Sequence, residues 1–478
     1  MIIGGSSAEA IEKPLKDYQR HAYDWLMERL YVKDVMGAGL FLDPGLGKTR
    51  ITLSLIDTLL RLFEVRRALI IAPLRPCQVV WPVEIRTWGF NFSWISLYKQ
   101  VQQAMDEDCK VEILNPDSLH KICDIQNRWD LLVVDESTNF KTWKTRRIKM
   151  LRKMLPTIPK RVILTGTPAA NSLADLHSQL FIVDDGEALG KNVTYFRSCF
   201  MTKGGYMNRQ WDVKDGAGEK ILKAIEGKVL RMKAEDHLDM PKLVRNDIWC
   251  DWGPEEGKEY RKLKRELYLE LENGDPLNIT SSAGAYTKCR QYCNGTIYNA
   301  KDTGRVNSKG KPIMDRTSHT MHDFKLQALE DLSEELGGKP MLIAYQYDHD
   351  YTRAIERRHF KNAPVIKGGS KQKDVEDILK RWNAGKIRHL FCQCQAVSHG
   401  VNMQEACNDV AWYGLCDSPE VYEQFFRRVY RLGVKGDQVR IHRLLMRGTV
   451  EGEMLDRLNG KFKTQAEFLE ALKIHAKG

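Results

Sequence analysis

Hydrophobic residues in this chain come in short runs, each closed by glycine, proline or an acid and separated by amphipathic stretches. Leu40–Leu42, Ala68–Ala72, LLVVD (131–135) and VILT (162–165) are such runs in the first half. Runs this short, apolar at every position, predict strands buried on both faces, as in a parallel sheet. Between them the period changes. Leu15, Tyr18, Ala22, Trp25, Leu26 and Leu30 recur at helical spacing, and Ile51, Leu53, Leu55 and Ile56 predict a helix directly after the first run. The polar residues collect where the runs end, at the edge of a parallel α/β sheet that holds ligands.

From about Leu173 to Asn299 glycine, charge and longer helical segments such as EEGKEYRKLKRELYLELENG replace the apolar runs. Asp302–Thr320 is polar and glycine-containing, the texture of an exposed loop. From Asp323 the alternation resumes with KPMLIAYQ, NAPVIKGG, KIRHLFCQCQ, DVAWYGL and VRIHRLL, a second α/β domain. The expected division is a tail over 1–14, a first domain over 15–230, a helical insertion and linker over 231–320, and a second domain over 321–478.

Chemistry gathers first at GLFLDPGLGKT, Gly39–Thr49. A strand, a glycine-punctuated turn and a helix start in succession present free backbone N–H groups and a positive dipole end to an anion. Gly45 and Gly47 let the backbone approach, Lys48 reaches outer phosphates, and the Thr49 hydroxyl suits Mg²⁺. Leu42 stands where the general phosphate-loop pattern has glycine, so an ordinary turn before a core helix is the competing reading. Asp135 and Glu136, at the end of a later run, suit Mg²⁺ binding and activation of an attacking water, although an acidic pair is also a common solvated strand end. Gln19, a short loop ahead of the turn, has an amide able to donate to and accept from an adenine edge at once, or is a surface glutamine. VYEQFFRRVYRLG offers Arg428 and Arg431, three apart on an expected helix and so on one face. They suit charge neutralisation as a γ-phosphate leaves, or solvent and DNA contact.

Composition narrows the partners. Net charge is +11, which favours a polyanion. The eleven cysteines form no pair of CxxC units, so structural zinc is not expected and reduced thiols are. No apolar run approaches the ~20 residues that span a bilayer, and the first residues do not read as a secretory signal.

Together the motifs resemble the Swi/Snf-like ATPases of helicase superfamily two. DPGLGKT resembles that family's phosphate loop, which itself usually lacks the first glycine, and Tyr18–Gln19 its adenine-reading motif. APLRPCQVVWPVEIRTW aligns with the segment after the first helix, with Pro73, Trp81, Glu84 and Trp88 in register. Asp135–Thr138 takes the place of the acidic box, LTGTPAAN (164–171) of the coupling motif, SHGVNMQEA (398–406) of a cleft motif, and QFFRRVYRLG of the arginine-finger motif. VLRMKAEDHLDMPKL and KCRQYCNG also have counterparts, so the similarity runs from about Leu15 to about Leu472.

The resemblance implies two RecA-like lobes with parallel sheets, an ATP cleft between them and a helical insertion mid-chain. It implies ATP and Mg²⁺ held by Gln19, Asp43, Gly45, Leu46, Gly47, Lys48, Thr49, Gly400 and Asn402, with Thr49 and Asp135 toward the metal. Lys48, Asp135, Glu136, Arg428 and Arg431 would carry the reaction. It further implies a monomeric, DNA-dependent motor on duplex DNA that grips the backbone without sequence preference, at Pro73, Asn115, Ser118 and Lys141. A strand-separating or branch-migrating helicase and a non-hydrolysing scaffold are the alternatives. The compact chain looks like a prokaryotic or phage member, expected in the cytoplasm and at the nucleoid, with no membrane partner. Two departures stand out: Thr138 replaces a histidine that joins the ATP site to the coupling motif, and Val434 replaces a glutamine.

Overall fold

The computed structural model describes residues 14–97, 108–169, 173–204, 210–272, 279–306, 312–396, 403–416, 418–452, 454, 455 and 458. They fall into two compact units, one within Met1–Asp239 and one within Met240–Gly460. All nine apolar runs named above contribute strands.

In the first unit the strands are β1 (Gly37–Leu42), β2 (Ala68–Ile71), β3 (Trp94–Ser96), β4 (Val111–Leu114), β5 (Leu131–Asp135) and β6 (Lys160–Thr165). A small antiparallel pair, β7 (Met201–Gly204) and β8 (Gln210–Val213), precedes β9 (Val229–Met232). The main sheet runs β3-β4-β2-β5-β6-β1-β9 and is parallel throughout. Every residue of β1, β2, β4 and β6 is buried, including the charged Glu112 of β4 and Lys160 and Arg161 of β6. One core face joins Phe41, Leu69, Ile71, Val134 and Ile163 to Leu176 and Leu180 of the Asp175–Asp184 helix. The topology also selects neighbours. β6 lies between β1 and β5, with Phe41 beside Thr165 and Asp135 beside Leu164. The turns after β1, β5 and β6 therefore leave the same sheet edge, one strand apart.

The second unit contains β10 (Lys242–Cys250), an antiparallel hairpin of β11 (Thr296–Val306) and β12 (Pro312–Thr320), then β13 (Met341–Tyr345), β14 (Val365–Ile366), β15 (His389–Gln393), β16 (Asp409–Trp412) and β17 (Gln438–Met446). Its parallel sheet runs β10-β17-β16-β13-β15-β14. Ile343, Tyr345, Phe391, Ala411 and Leu444 pack there with Leu326 and Leu329 of the Phe324–Glu335 helix.

The stretch 231–320 differs from its reading as a helical insertion and linker. It holds two helices, Pro254–Glu272 and Ile279–Cys293, but also the end of β9, the edge strand β10, and the hairpin where a loop was expected. β10 pairs with β17 over its whole length yet is half-exposed, so KLVRNDIWC lacks the continuous apolar run that marked the inner strands. No helix among the described residues is long and apolar enough to cross a membrane.

Candidate nucleotide site

The phosphate loop is built by two glycines in the left-handed region, Gly45 at φ +93° and Gly47 at φ +78°. Gly47 caps the helix Lys48–Arg61, so Lys48 and Thr49 open its first turn, where the helix dipole is positive, beside the loop. A Cβ on Gly47 would lie 2.3 Å from Gln19 Nε2, so only glycine lets the loop close over that amide. Gln19 is buried in the first turn of the Asp17–Met27 helix; its Nε2 donates to Leu46 O at 3.3 Å and its Oε1 accepts from Lys16 N at 3.1 Å. The glutamine thus touches the loop. Beside it, the Arg50 guanidinium lies 3.6 Å from the centre of the Trp88 ring, and Trp88 Nε1 donates to Glu84 Oε2 at 2.6 Å. Lys48 Nζ donates to Leu42 O at 2.6 Å, holding its ammonium at the strand end. Asp43 is buried and accepts Ala234 N at 3.1 Å, which fastens the loop to the segment after β9.

Two strands along the same edge, Asp135 Oδ2 accepts the indole N–H of buried Trp81 at 3.0 Å, and Oδ1 accepts Glu136 N at 3.1 Å. Loss of water around it, with the Glu136 charge beside it, pushes the Asp135 pKa up to about 6, against the pull of Trp81 and Lys48. Glu136 sits at φ +49°, and its Oε2 is buried with no hydrogen-bond partner among the described residues. That atom is free to take a proton or accept from water. These features fit a phosphate–metal group: an amide-lined turn, a carboxylate whose raised pKa a cation would lower, and an unsatisfied carboxylate oxygen beside it.

The arginine pair sits differently from its expected helix. The helix Pro419–Phe426 ends before either residue, and the amides of Arg428 and Val429 bond to Phe425 O and Phe426 O in tight turns that lead to Gly433 at φ +90°. Arg428 is buried. Burial, with the charges of Arg428 and Arg427, lowers the Arg431 pKa to about 9. Within the cluster Arg427 is paired with Glu423 at 2.6 Å, and Arg431 Nε donates to Arg427 O at 2.6 Å. Gly400 and Asn402 lie outside the described residues.

Of the expected backbone grips, Pro73, Asn115 and Ser118 are buried and Lys141 is half-buried. They lie in the segments after β2, β4 and β5, on the same edge as the phosphate loop. The sequence reading passed over the helix Arg146–Met154, which carries Arg146, Arg147, Lys149, Arg152 and Lys153 and no acid. It also gave Trp81 no role, although Trp81 stood in register with a family motif.

A phosphate loop, an acidic strand end and two parallel sheets define the class of P-loop, helicase-like ATPases. Residues 18–296 match the SNF2-related domain and 324–433 the helicase conserved C-terminal domain. The chain belongs to the SNF2-related family. It is 28% identical to putative protein p41 of Acyrthosiphon pisum secondary endosymbiont phage 1, over 93% of this chain and 96% of that one. It is 23% identical to chromatin structure-remodeling complex subunit snf21 of Schizosaccharomyces pombe, over 97% of this chain but 40% of that protein. Among solved structures, the Sulfolobus solfataricus SWI2/SNF2 ATPase core in complex with dsDNA is similar at 20% identity and a TM-score of 0.44, covering 98% of this chain and 96% of that one.

Proposed function

We propose that the protein is a DNA-dependent ATPase that couples hydrolysis to movement along duplex DNA, gripping phosphates without sequence preference. The observation that carries the chemistry is the convergence at one sheet edge of the phosphate loop, Asp135 and the unpartnered Glu136 oxygen. The amides of 45–49 and Lys48 bind the phosphates of ATP, and the Gln19 amide reads the base edge. Lys48 leaves the Leu42 carbonyl to do so. Asp135 and Thr49 would hold Mg²⁺, which when bound would neutralise charge on the phosphate oxygens. Glu136 Oε2 orients the attacking water and takes its proton. Arg428 and Arg431 supply positive charge as the γ-phosphate leaves.

For the nucleic acid, the net charge of +11 and the acid-free Arg146–Met154 helix support a polyanionic partner. Backbone contact carries no sequence information, hence the absence of site preference.

Steady-state ATP hydrolysis at fixed salt, with duplex DNA, single-stranded DNA, RNA or none, tests the reading. Strong stimulation by duplex, followed by displacement of a triplex-forming strand, supports translocation. Stimulation by single strands or RNA alone replaces it with an unwinding enzyme. Glu136→Gln should bind ATP and lose turnover, and Lys48→Ala should lose nucleotide binding; normal hydrolysis in either variant refutes the corresponding role.

A further inference from the structure

The Asp175–Asp184 helix is apolar where it faces the core: Leu176, Leu180, Ile182 and Val183 are all buried. Gln179 is as deeply buried as these, at 0% exposure. Hydrophobicity cannot hold an amide there, so its partners must. Its Oε1 accepts Ser137 Oγ at 2.7 Å, and its Nε2 donates to Pro168 O at 2.7 Å and Asp175 O at 2.8 Å. Two carbonyls on one side fix which end of the amide carries the hydrogens, so the Ser137 hydroxyl has to donate.

We propose that Gln179 is a positioning residue that clamps the Glu136 turn to the turn after β6. The inference rests on the reading of Glu136 as the group that activates water. Ser137 directly follows Glu136, whose backbone is held at φ +49°, a left-handed conformation uncommon for non-glycine residues. Pro168 belongs to the other turn, where Thr167 Oγ1, like Glu136 Oε2, is buried without a hydrogen-bond partner among the described residues. One side chain therefore fixes the two loops that carry the site's unsatisfied oxygens. A displacement of one is passed to the other.

The test compares full-length wild type with Gln179→Met, which fills similar space without the three hydrogen bonds, with Ser137→Ala and with the double variant. Under saturating duplex DNA, each single variant should lose about 10- to 100-fold in kcat while affinity for a fluorescent ATP analogue stays within about twofold. The double variant should lose no more than the worse single one, because both break one clamp. Turnover of Gln179→Met within about threefold of wild type, multiplicative losses in the double variant, or losses that merely follow the melting temperature would overturn the proposal. Hydrogen exchange separates this outcome from failure of the ATPase reading. With or without turnover in the wild type, Gln179→Met should speed exchange at 136–139 and 165–168 together. Acceleration at one loop alone refutes the clamp.

Discussion

A single methyl group at Gly47 should disturb both stability and base recognition, by an amount the geometry sets. Gly47→Ala places a Cβ 2.3 Å from Gln19 Nε2 and asks alanine to hold φ +78°. The left-handed backbone costs about 1–2 kcal/mol. The Gln19 side chain has to swing away, forfeiting its bonds to Leu46 O and Lys16 N, at roughly 0.5–1.5 kcal/mol each. The total is about 2–5 kcal/mol. In Gln19→Ala/Gly47→Ala the obstacle is gone, so the double variant should fall short of the sum of the singles by about 1–3 kcal/mol. Denaturant melts of the four proteins measure that coupling, and hydrolysis of ATP against GTP measures selectivity. Gly47→Ala and Gln19→Ala should both flatten the preference for ATP. Additive stabilities, or full selectivity in Gly47→Ala beside lost selectivity in Gln19→Ala, would refute the steric argument.

Asp135, with its pKa raised to about 6 from the ordinary 3.8, binds its proton more tightly in the folded than in the unfolded state. Its contribution to stability is therefore present below pH 4 and lost as pH rises through 6. Asp135→Asn should abolish hydrolysis yet flatten the fall in stability between pH 4 and 6 that urea melts record in the wild type. Arg431 has the opposite sign of linkage: its pKa is lowered to about 9, so holding its charge costs stability below that pH. Arg431→Gln should raise the melting temperature at pH 7 and reduce the stabilisation that added sulfate gives the wild type, while lowering turnover. A lower melting temperature in Arg431→Gln would show that the crowded guanidinium is already neutralised within the protein. Trp81→Phe removes the N–H that Asp135 accepts and should raise the Asp135 pKa further, seen by carboxylate titration in the nucleotide-free protein.

Most inner strands were legible because a parallel sheet buries both faces, which leaves apolar runs such as LLVVD and VILT. The inner strand β4 was not read, because Glu112 interrupts its run, and neither was β10. An edge strand keeps polar residues, and its pairing with β17 joins positions nearly two hundred residues apart, which no local pattern records. The phosphate loop declared itself because left-handed turns demand glycine, a demand written in Gly45 and Gly47. The arginine helix was overextended because a three-residue spacing looks the same in a helix and in the tight turns that succeed it. The Ser137–Gln179–Pro168 link had no local signal at all, since a glutamine on an apolar helix reveals its purpose only through its partners. Trp81 was nearest to being found: a large polar-tipped ring in a family motif invites the question of what its N–H meets.

The place of β1 within its sheet bears on how the protein is made. β1 is synthesised first, yet its two neighbours, β6 and β9, emerge only after residues 160 and 229, and Asp43 gains the Ala234 amide later still. During translation the strand that carries the phosphate loop has both edges unsatisfied for longer than any other strand of that sheet. Such an edge is a site for wrong pairing, and long-range parallel pairing is slow to form. The first strand made is thus paired only after most of its sheet has been synthesised, and substitutions in β9 should lower yield from cells before they touch the activity of the protein that does fold.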